Sequence, residues 1–376
     1  MQRRVAIVAA VAIVVATASA QTPAREQLAR GRALWDQRLA KSAIAALEAA
    51  AKDKDTSAEA HEALGRLYTY KGWLQDNVLP GLHDEPSFRE RALVELRAAV
   101  AADPTRASAQ EALRTAEGYA AAEAVDPAPP RPEIRALDAK LQAYQSQPAA
   151  PVSEILDALE TRAKAQADPA PYFAAAQILI DHGEYDRAIS IAERGASVSD
   201  RFIDENLSAY MLPGKSQGSF ARGRSQAADL VGWALFQKKD YAGAQAKLEE
   251  AERLSQGADF ANQFHLGELA RAQNAPGRAR DHYLNALSIA GGPAPLRQRA
   301  TQALTALQAD PSSAGGFEAW LEAELARRRD ERKASALKSL IDRPLPKLAL
   351  TTIDGRPYDS SGLRGKVLLL NFFASW

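Results

Sequence analysis

Residues equipped for chemistry are sparse in this chain of 376 residues. Cysteine is absent, which removes disulfides, thiolate metal sites and thiol catalysis from the residues present. Of five histidines, only His83 stands beside further possible ligands, Asp84 and Glu85, within the stretch LQDNVLPGLHDEPSFRER. Two readings are open: a metal or ligand site at His83, or a solvated turn after Pro80-Gly81. Adjacent side chains in a turn rarely converge on one ion, and no second histidine lies at i, i+4, so no metal site is assigned. His61, His182, His265 and His282 stand singly along helices or turns, where a histidine usually carries no chemistry. There is no Gly-rich phosphate loop, no G-x-S-x-G elbow and no nucleophile with an evident base. No cofactor site is expected. Arg327 to Arg329 run on into Asp330, Glu331, Arg332 and Lys333, an alternation that suits a solvated helix face better than a nucleic-acid surface.

Composition sets the frame for these residues. Lys plus Arg and Asp plus Glu each total 47, so net charge favours neither nucleic acid nor an anionic membrane as partner. From about Ala24 to Asp310 the chain is rich in Ala, Leu, Glu, Arg and Gln, strong helix formers. Turn signals at intervals of some twelve to twenty residues predict many helices of three to four turns.

Those helices repeat. Gly31 and Gly65 lie 34 residues apart, and Gly232 and Gly267 lie 35 apart. Leu34 follows the first glycine, with Ala43, Leu47 and Ala50 in second-helix positions. Around Gly65 stand Leu64 and Tyr68, then Ala92, Leu96, Ala99 and Pro104. Gly232 is followed by Leu235, Tyr241, Ala244, Leu248 and Ala251, and Gly267 by Ala279, Tyr283 and Ala286. Gly183, Tyr185 and Ala188 mark the turn and second helix of a further unit, whose first helix is expected around Tyr172 to Ile180. The pattern resembles the tetratricopeptide repeat, a pair of antiparallel helices in 34 residues with a small residue where the helices cross. Five such units suffice for a solenoid, each burying its apolar face against the next. The second unit is too long by about fifteen residues, which are read as an insertion between its helices. Tyr68, Tyr185, Trp233, Tyr241 and Tyr283 fall at or beside core positions and are read as packing.

Residues 126–132, DPAPPRP, cannot continue a helix, and Ser146 to Val152 is a weaker break. The expected organisation is therefore amino-terminal repeats over 24–125, a proline-rich linker region over 126–152 carrying one helix, and carboxy-terminal repeats over 153–311. Two long loops, at 72–90 and 197–225, are candidates for partner contact. A charged connecting helix is expected over 317–341. At the amino terminus Arg3 and Arg4, the apolar run Val5 to Val15 and Ala18-Ser19-Ala20 before Gln21 read as a signal peptide over 1–20. The apolar run is short for a membrane span and no other stretch is apolar enough. The mature protein is expected to be exported, periplasmic or extracellular, without a stable span after cleavage, and to meet a protein partner on its helical surface.

The last segment differs in kind. Pro346-Lys347-Leu348-Ala349-Leu350, then Asp354-Gly355, then Leu363-Arg364-Gly365-Lys366, then the apolar run from Val367 and finally Ala374-Ser375-Trp376 follow one another as strand, turn, step and strand. This order resembles the opening of the thioredoxin-like domain of the TlpA/ResA group of thiol-disulfide oxidoreductases; Phe373 departs slightly from its aromatic pattern. The resemblance implies Cys-x-x-Cys directly after Trp376, its first sulfur activated at a helix amino terminus. On that reading the 376 residues are a fragment cut before the active site. They contain no catalytic residue, Trp376 would immediately precede the nucleophilic Cys, and residues 344–376 would form no stable core alone. Two alternatives stand beside it: a non-catalytic repeat scaffold, and a peroxiredoxin-type domain. The fold expected is mainly α, a tetratricopeptide-like helical-hairpin solenoid followed by an incomplete thioredoxin-like α/β domain.

Overall fold

The computed structural model describes residues 23–77, 88–118, 131–145, 147, 150–206, 213–307, 316–338, 349–351 and 356–359. They form two compact units that divide between Phe317 and Glu318. The first is helical throughout the described residues: α1 (Pro23–Asp36), α2 (Ala40–Ala51), α3 (Ser57–Asn77), α4 (Phe88–Ala102), α5 (Ala107–Gly118), α6 (Pro132–Tyr144), α7 (Val152–Ala165), α8 (Ala170–Asp181), α9 (Tyr185–Asn206), α10 (Pro213–Gln237), α11 (Tyr241–Ser255), α12 (Phe260–Ala272), α13 (Pro276–Ser288) and α14 (Ala294–Leu307). Sequential helices pack as hairpins, so the protein is mainly α with a helical-repeat architecture.

Three features recur at fixed offsets and make the hairpins copies of one unit. The crossing is the first. A Cβ built on Gly31 would lie 2.6 Å from Leu47, on Gly65 2.4 Å from Leu96, on Gly232 2.7 Å from Leu248 and on Gly267 2.6 Å from Tyr283. Only a glycine lets the two backbones approach this closely. The large partner comes sixteen residues later in three units and thirty-one later in the second, so the insertion of fifteen leaves the crossing in register. Flanking alanines are the second feature: Ala43 and Ala50, Ala92 and Ala99, Ala244 and Ala251, Ala279 and Ala286 are all buried. In the α8–α9 unit the roles are exchanged, with Gly195 on the second helix against Phe173.

The third feature is the turn. Arg38, Gly183, Lys239 and Asn274 have positive φ. The residue after each donates its N–H to a carbonyl five residues back: Leu39 to Leu34, Glu184 to Leu179, Asp240 to Leu235 and Ala275 to Ala270, all at 2.9 or 3.0 Å. That is a Schellman ending in each case. The glycine expected there occurs only at 183, which is why the other three turns were not marked by composition. In the second unit Gly72 occupies the equivalent place, and α3 runs on to Asn77.

Several expectations change. The loop expected at 197–225 is helix on both sides: α9 continues to Asn206 and α10 begins at Pro213. The stripe Ala188, Ile191, Ala192, Gly195, Ser199, Ile203 is buried and carries α9 through its polar composition. Likewise α3 and α4 take up the ends of the loop expected at 72–90. The remainder of that loop, with His83, Asp84 and Glu85, lies outside the described residues, as do the amino-terminal segment before Pro23, residues 126–130 of the proline-rich stretch, and Trp376 with the apolar strand before it.

The proline-rich stretch does not separate the helical groups in space. Glu205 of α9 accepts from the backbone N–H and hydroxyl of Ser42 on α2 at 2.8 and 2.5 Å, Lys41 pairs with Asp204 at 3.1 Å, and Ala167 N–H donates to Gln37 O at 3.0 Å. Leu39 supplies no side-chain cap to α2, so the Glu205 carboxylate takes that place and complements the helix dipole. The helix expected between the two breaks is α6. It is tied to the chain ahead of α8 by buried Arg162, which binds Asp138 and Asp168 at 2.7 Å each.

The second unit contains most of α15 (Gly316–Lys338) and a hairpin of β1 (Ala349–Thr351) and β2 (Pro357–Asp359). The strands pair antiparallel, Leu350 opposite Tyr358. Asp354-Gly355, where a turn is expected, lies outside the described residues. Arg327 bridges Glu324 and Glu331 at 2.7 and 2.5 Å, the i, i+3 and i, i+4 support expected of a solvated helix.

Candidate functional site

Side chains that looked scattered in the sequence converge on the first helices of the carboxy-terminal units. Residues of α8, α10, α12 and α14, with the ends of α9 and α11, line one groove of about 1640 Å³. Its apolar part comes from Phe173, Ile180, Leu230 and Trp233. Trp233 follows the crossing glycine Gly232, so the close α10–α11 approach fixes its ring.

At the groove Trp233 stacks on His265, with centroids 4.2 Å apart and planes within 12°, and on Phe236 at 4.8 Å. His265 Nδ1 lies 3.0 Å from Asp229 Oδ2. A carboxylate only accepts, so Nδ1 carries the proton and donates. Asn262 donates from Nδ2 to Asp229 at 3.1 Å and to Leu248 O at 3.0 Å, fixing the carboxylate from the other side. His265 and Asp229 are nearly enclosed, with side chains 6% and 10% exposed. Yet among the described residues His265 Nε2 has no hydrogen-bond partner, and it is not fully enclosed. It therefore opens on the groove that His265 lines.

Charge is arranged unevenly around this floor. Arg222, Arg253 and Arg299 line the groove together with Asp181 and Asp259. Asp259 caps α12 by accepting from Asn262 N–H at 2.8 Å, and Asp181 accepts from Gln177 at 2.9 Å. Arg299 lies over the Phe264 ring at 4.9 Å and 3.6 Å from Glu268. Among the described residues Arg222 and Arg253 make no ion pair or side-chain hydrogen bond. The carboxylates are engaged and two of the guanidinium groups are not. Ser225, one turn before Asp229, donates its hydroxyl to Ala251 O at 2.9 Å. Among the described residues no nucleophile is hydrogen-bonded to Nε2.

The other histidines sit elsewhere. His61 pairs with Glu95 at 2.6 Å, and His182 closes α8. His282 contacts Gln263 at 3.0 Å beside a separate cavity of about 50 Å³, where burial pushes its pKa below the ordinary histidine value. Tyr68, Trp233 and Tyr283 are buried in the repeat core, as expected, while Tyr185 and Tyr241 are partly so. Burial, with a hydrogen bond to Glu268 at 2.5 Å, pushes the Tyr283 hydroxyl pKa up. Sequence reading left His265 without a role. The signal was its register: Asp229 and His265 stand three and two residues before Gly232 and Gly267, hence on adjacent first helices of one groove.

Among the described residues no group of three or more His, Asp or Glu side chains is placed to hold a metal, and no helix is long and apolar enough to cross a membrane. No family model matches the chain, and no curated protein sequence does. Among solved structures the crystal structure of BtubC (BKLC) from P. vanneervenii is similar at 18% identity, covering 70% of this chain and 95% of that one with a TM-score of 0.31.

Proposed function

We propose that this chain is an exported scaffold of tetratricopeptide type whose carboxy-terminal groove takes up an extended polypeptide segment. The observation that carries the reading is the groove itself: a cavity of about 1640 Å³ with a stacked aromatic floor and a charged rim, built from the first helices of successive repeats. A segment lying along such a surface would set apolar side chains on Trp233 and Phe173 and polar groups against the rim. Titration of rhodamine-labelled extended peptides, followed by anisotropy, tests it. Saturable binding that Trp233→Leu weakens at least tenfold is expected; binding indifferent to Trp233 would overturn the groove as the site.

The redox half of the reading rests on the resemblance of residues 344–376 to the TlpA/ResA opening, and the β1–β2 pair where that resemblance expects its first strand and turn supports it. The repeats would then hold a client near a dithiol whose Cys-x-x-Cys follows Trp376. The downstream reading frame decides: a cysteine pair there supports thiol-disulfide exchange, a single cysteine the peroxiredoxin alternative, and none the pure scaffold. Export rests on the signal-like residues 1–20, and the amino-terminal sequence of the secreted protein, expected to begin at Gln21, tests it.

A further inference from the structure

His265 is the best-built polar feature in the groove that the binding reading leaves unused. Asp229 holds its Nδ1 at 3.0 Å, Trp233 and Phe264 fix its ring, and Asn262 locks the carboxylate behind it. This is much support for one nitrogen, Nε2, that has no hydrogen-bond partner among the described residues. Such support fixes which nitrogen carries the proton and where the other points.

We propose that His265 is the proton-responsive contact of the groove, and that its occupant is a polypeptide segment bearing carboxylate side chains, one of which meets Nε2. The proposal deepens the polypeptide-binding reading and rests on it. In the neutral ring Nε2 is an acceptor and repels a carboxylate. Once protonated it donates, and the new charge faces Asp229 on one side and the ligand on the other. The charged and titratable groups around it come from each neighbouring element: Asp229 and Arg222 on α10, Arg253 on α11, Asp259 and Glu268 on α12, Arg299 on α14 and Asp181 on α8. Across α12, His282 on α13 belongs to the separate small cavity with Glu249, Glu252 and Arg278. Asp181 and Asp259 are engaged by Gln177 and the α12 cap, whereas Arg222 and Arg253 have no carboxylate partner among the described residues. Arg222 and Arg253 are therefore placed to pair with the carboxylates of an acidic segment.

The test uses the full chain and two rhodamine-labelled peptides sharing an apolar frame, one with three Glu and the other with Gln in their places. Between pH 8 and pH 5.5, where histidine side chains change charge and glutamates stay ionised, the Glu peptide should gain about tenfold in affinity. The Gln peptide should change less than about twofold. His265→Gln should remove the gain and His282→Gln should keep it. A readout on the unaltered protein guards against a folding defect: the NMR titration of the His265 ring should move to higher pH when the Glu peptide is bound, by reciprocal linkage. Equal affinity of the two peptides, or an unmoved His265 titration, overturns the proposal while leaving the groove reading standing. Free glutamate competing as well as the peptide overturns the polypeptide occupant. If neither peptide binds, the groove reading itself fails.

Discussion

Two glycine substitutions within one hairpin should act in opposite directions. In Gly267→Ala the new Cβ would lie 2.6 to 3.0 Å from three atoms of the Tyr283 ring. That ring is fully buried and anchored by its hydroxyl to Glu268 at 2.5 Å, so it cannot swing aside without losing a buried hydrogen bond. Helix propensity favours alanine by about 0.5–1 kcal/mol, while overpacking a close crossing costs about 1–3 kcal/mol. The net expectation is a loss of about 1–2 kcal/mol, or a fall in Tm of roughly 3–6 °C. Gly277→Ala, at the start of α13, meets nothing within 4 Å and should keep the propensity gain, raising Tm by roughly 1–3 °C. Urea and thermal unfolding of both variants, followed by far-ultraviolet circular dichroism, measure the pair. If Gly267→Ala is as stable as Gly277→Ala, the crossing is not tight and the account of the repeat in terms of small residues is wrong.

Other perturbations have equally definite signs. Lys71 is buried, and burial pushes its pKa from 10.5 down to about 8, against the opposing pull of Glu205. The unfolded chain then binds the proton more tightly. Stability relative to Lys71→Met should be lowest below pH 8 and rise by about 3 kcal/mol as pH climbs from 8 to 10.5; parallel curves for the two proteins in urea melts would refute this. Arg162→Ala leaves the partly exposed carboxylates of Asp138 and Asp168 facing each other across a void, and should cost about 1–3 kcal/mol in the same melts. Glu205→Ala removes the carboxylate that caps α2 from α9. It should loosen the two helical groups, read as a fall in energy transfer between dyes on cysteines placed at exposed Val94 and Glu160, a pairing made specific by the absence of native cysteine; an unchanged transfer would show that other contacts hold the groups together.

The repeat was legible because its cause is local in sequence. A glycine, a large residue sixteen positions on and two alanines around it state the crossing completely, and even the inserted unit betrayed itself by a displaced proline. The turns were less legible, since a Schellman ending accepts Arg38, Lys239 or Asn274 at positive φ when the helices on either side are held by packing. The extent of α9 and α10 was missed for a related reason. Ser, Asp and Gly lower intrinsic helix propensity, but the buried stripe from Ala188 to Ile203 overrides it. The α2–α9 junction was invisible, because nothing in the local sequence of Ser42 or Glu205 names a partner 163 residues away. The candidate site lay between these cases: its aromatic member was read correctly as core, and its histidine was passed over because a lone histidine gains meaning only once its neighbour in the next repeat is placed beside it.

The crossing and the groove are therefore parts of one device. α10 and α12 each turn one face to their own second helix through a glycine and another to the groove, so the separation of α10 from α11 also sets the position of Trp233, one residue past Gly232. The His265 ring is held against that indole, and its hydrogen-bond partner Asp229 stands one turn earlier on the same helix as Trp233. A bulkier residue at 232 would push α10 away from Leu248 and carry Trp233 and Asp229 with it, away from a histidine fixed on α12. The tight packing that builds the solenoid is in this way also what keeps Nε2 of His265 aimed at the groove, and a change that leaves the fold intact but opens the crossing should blunt binding without touching a single groove residue.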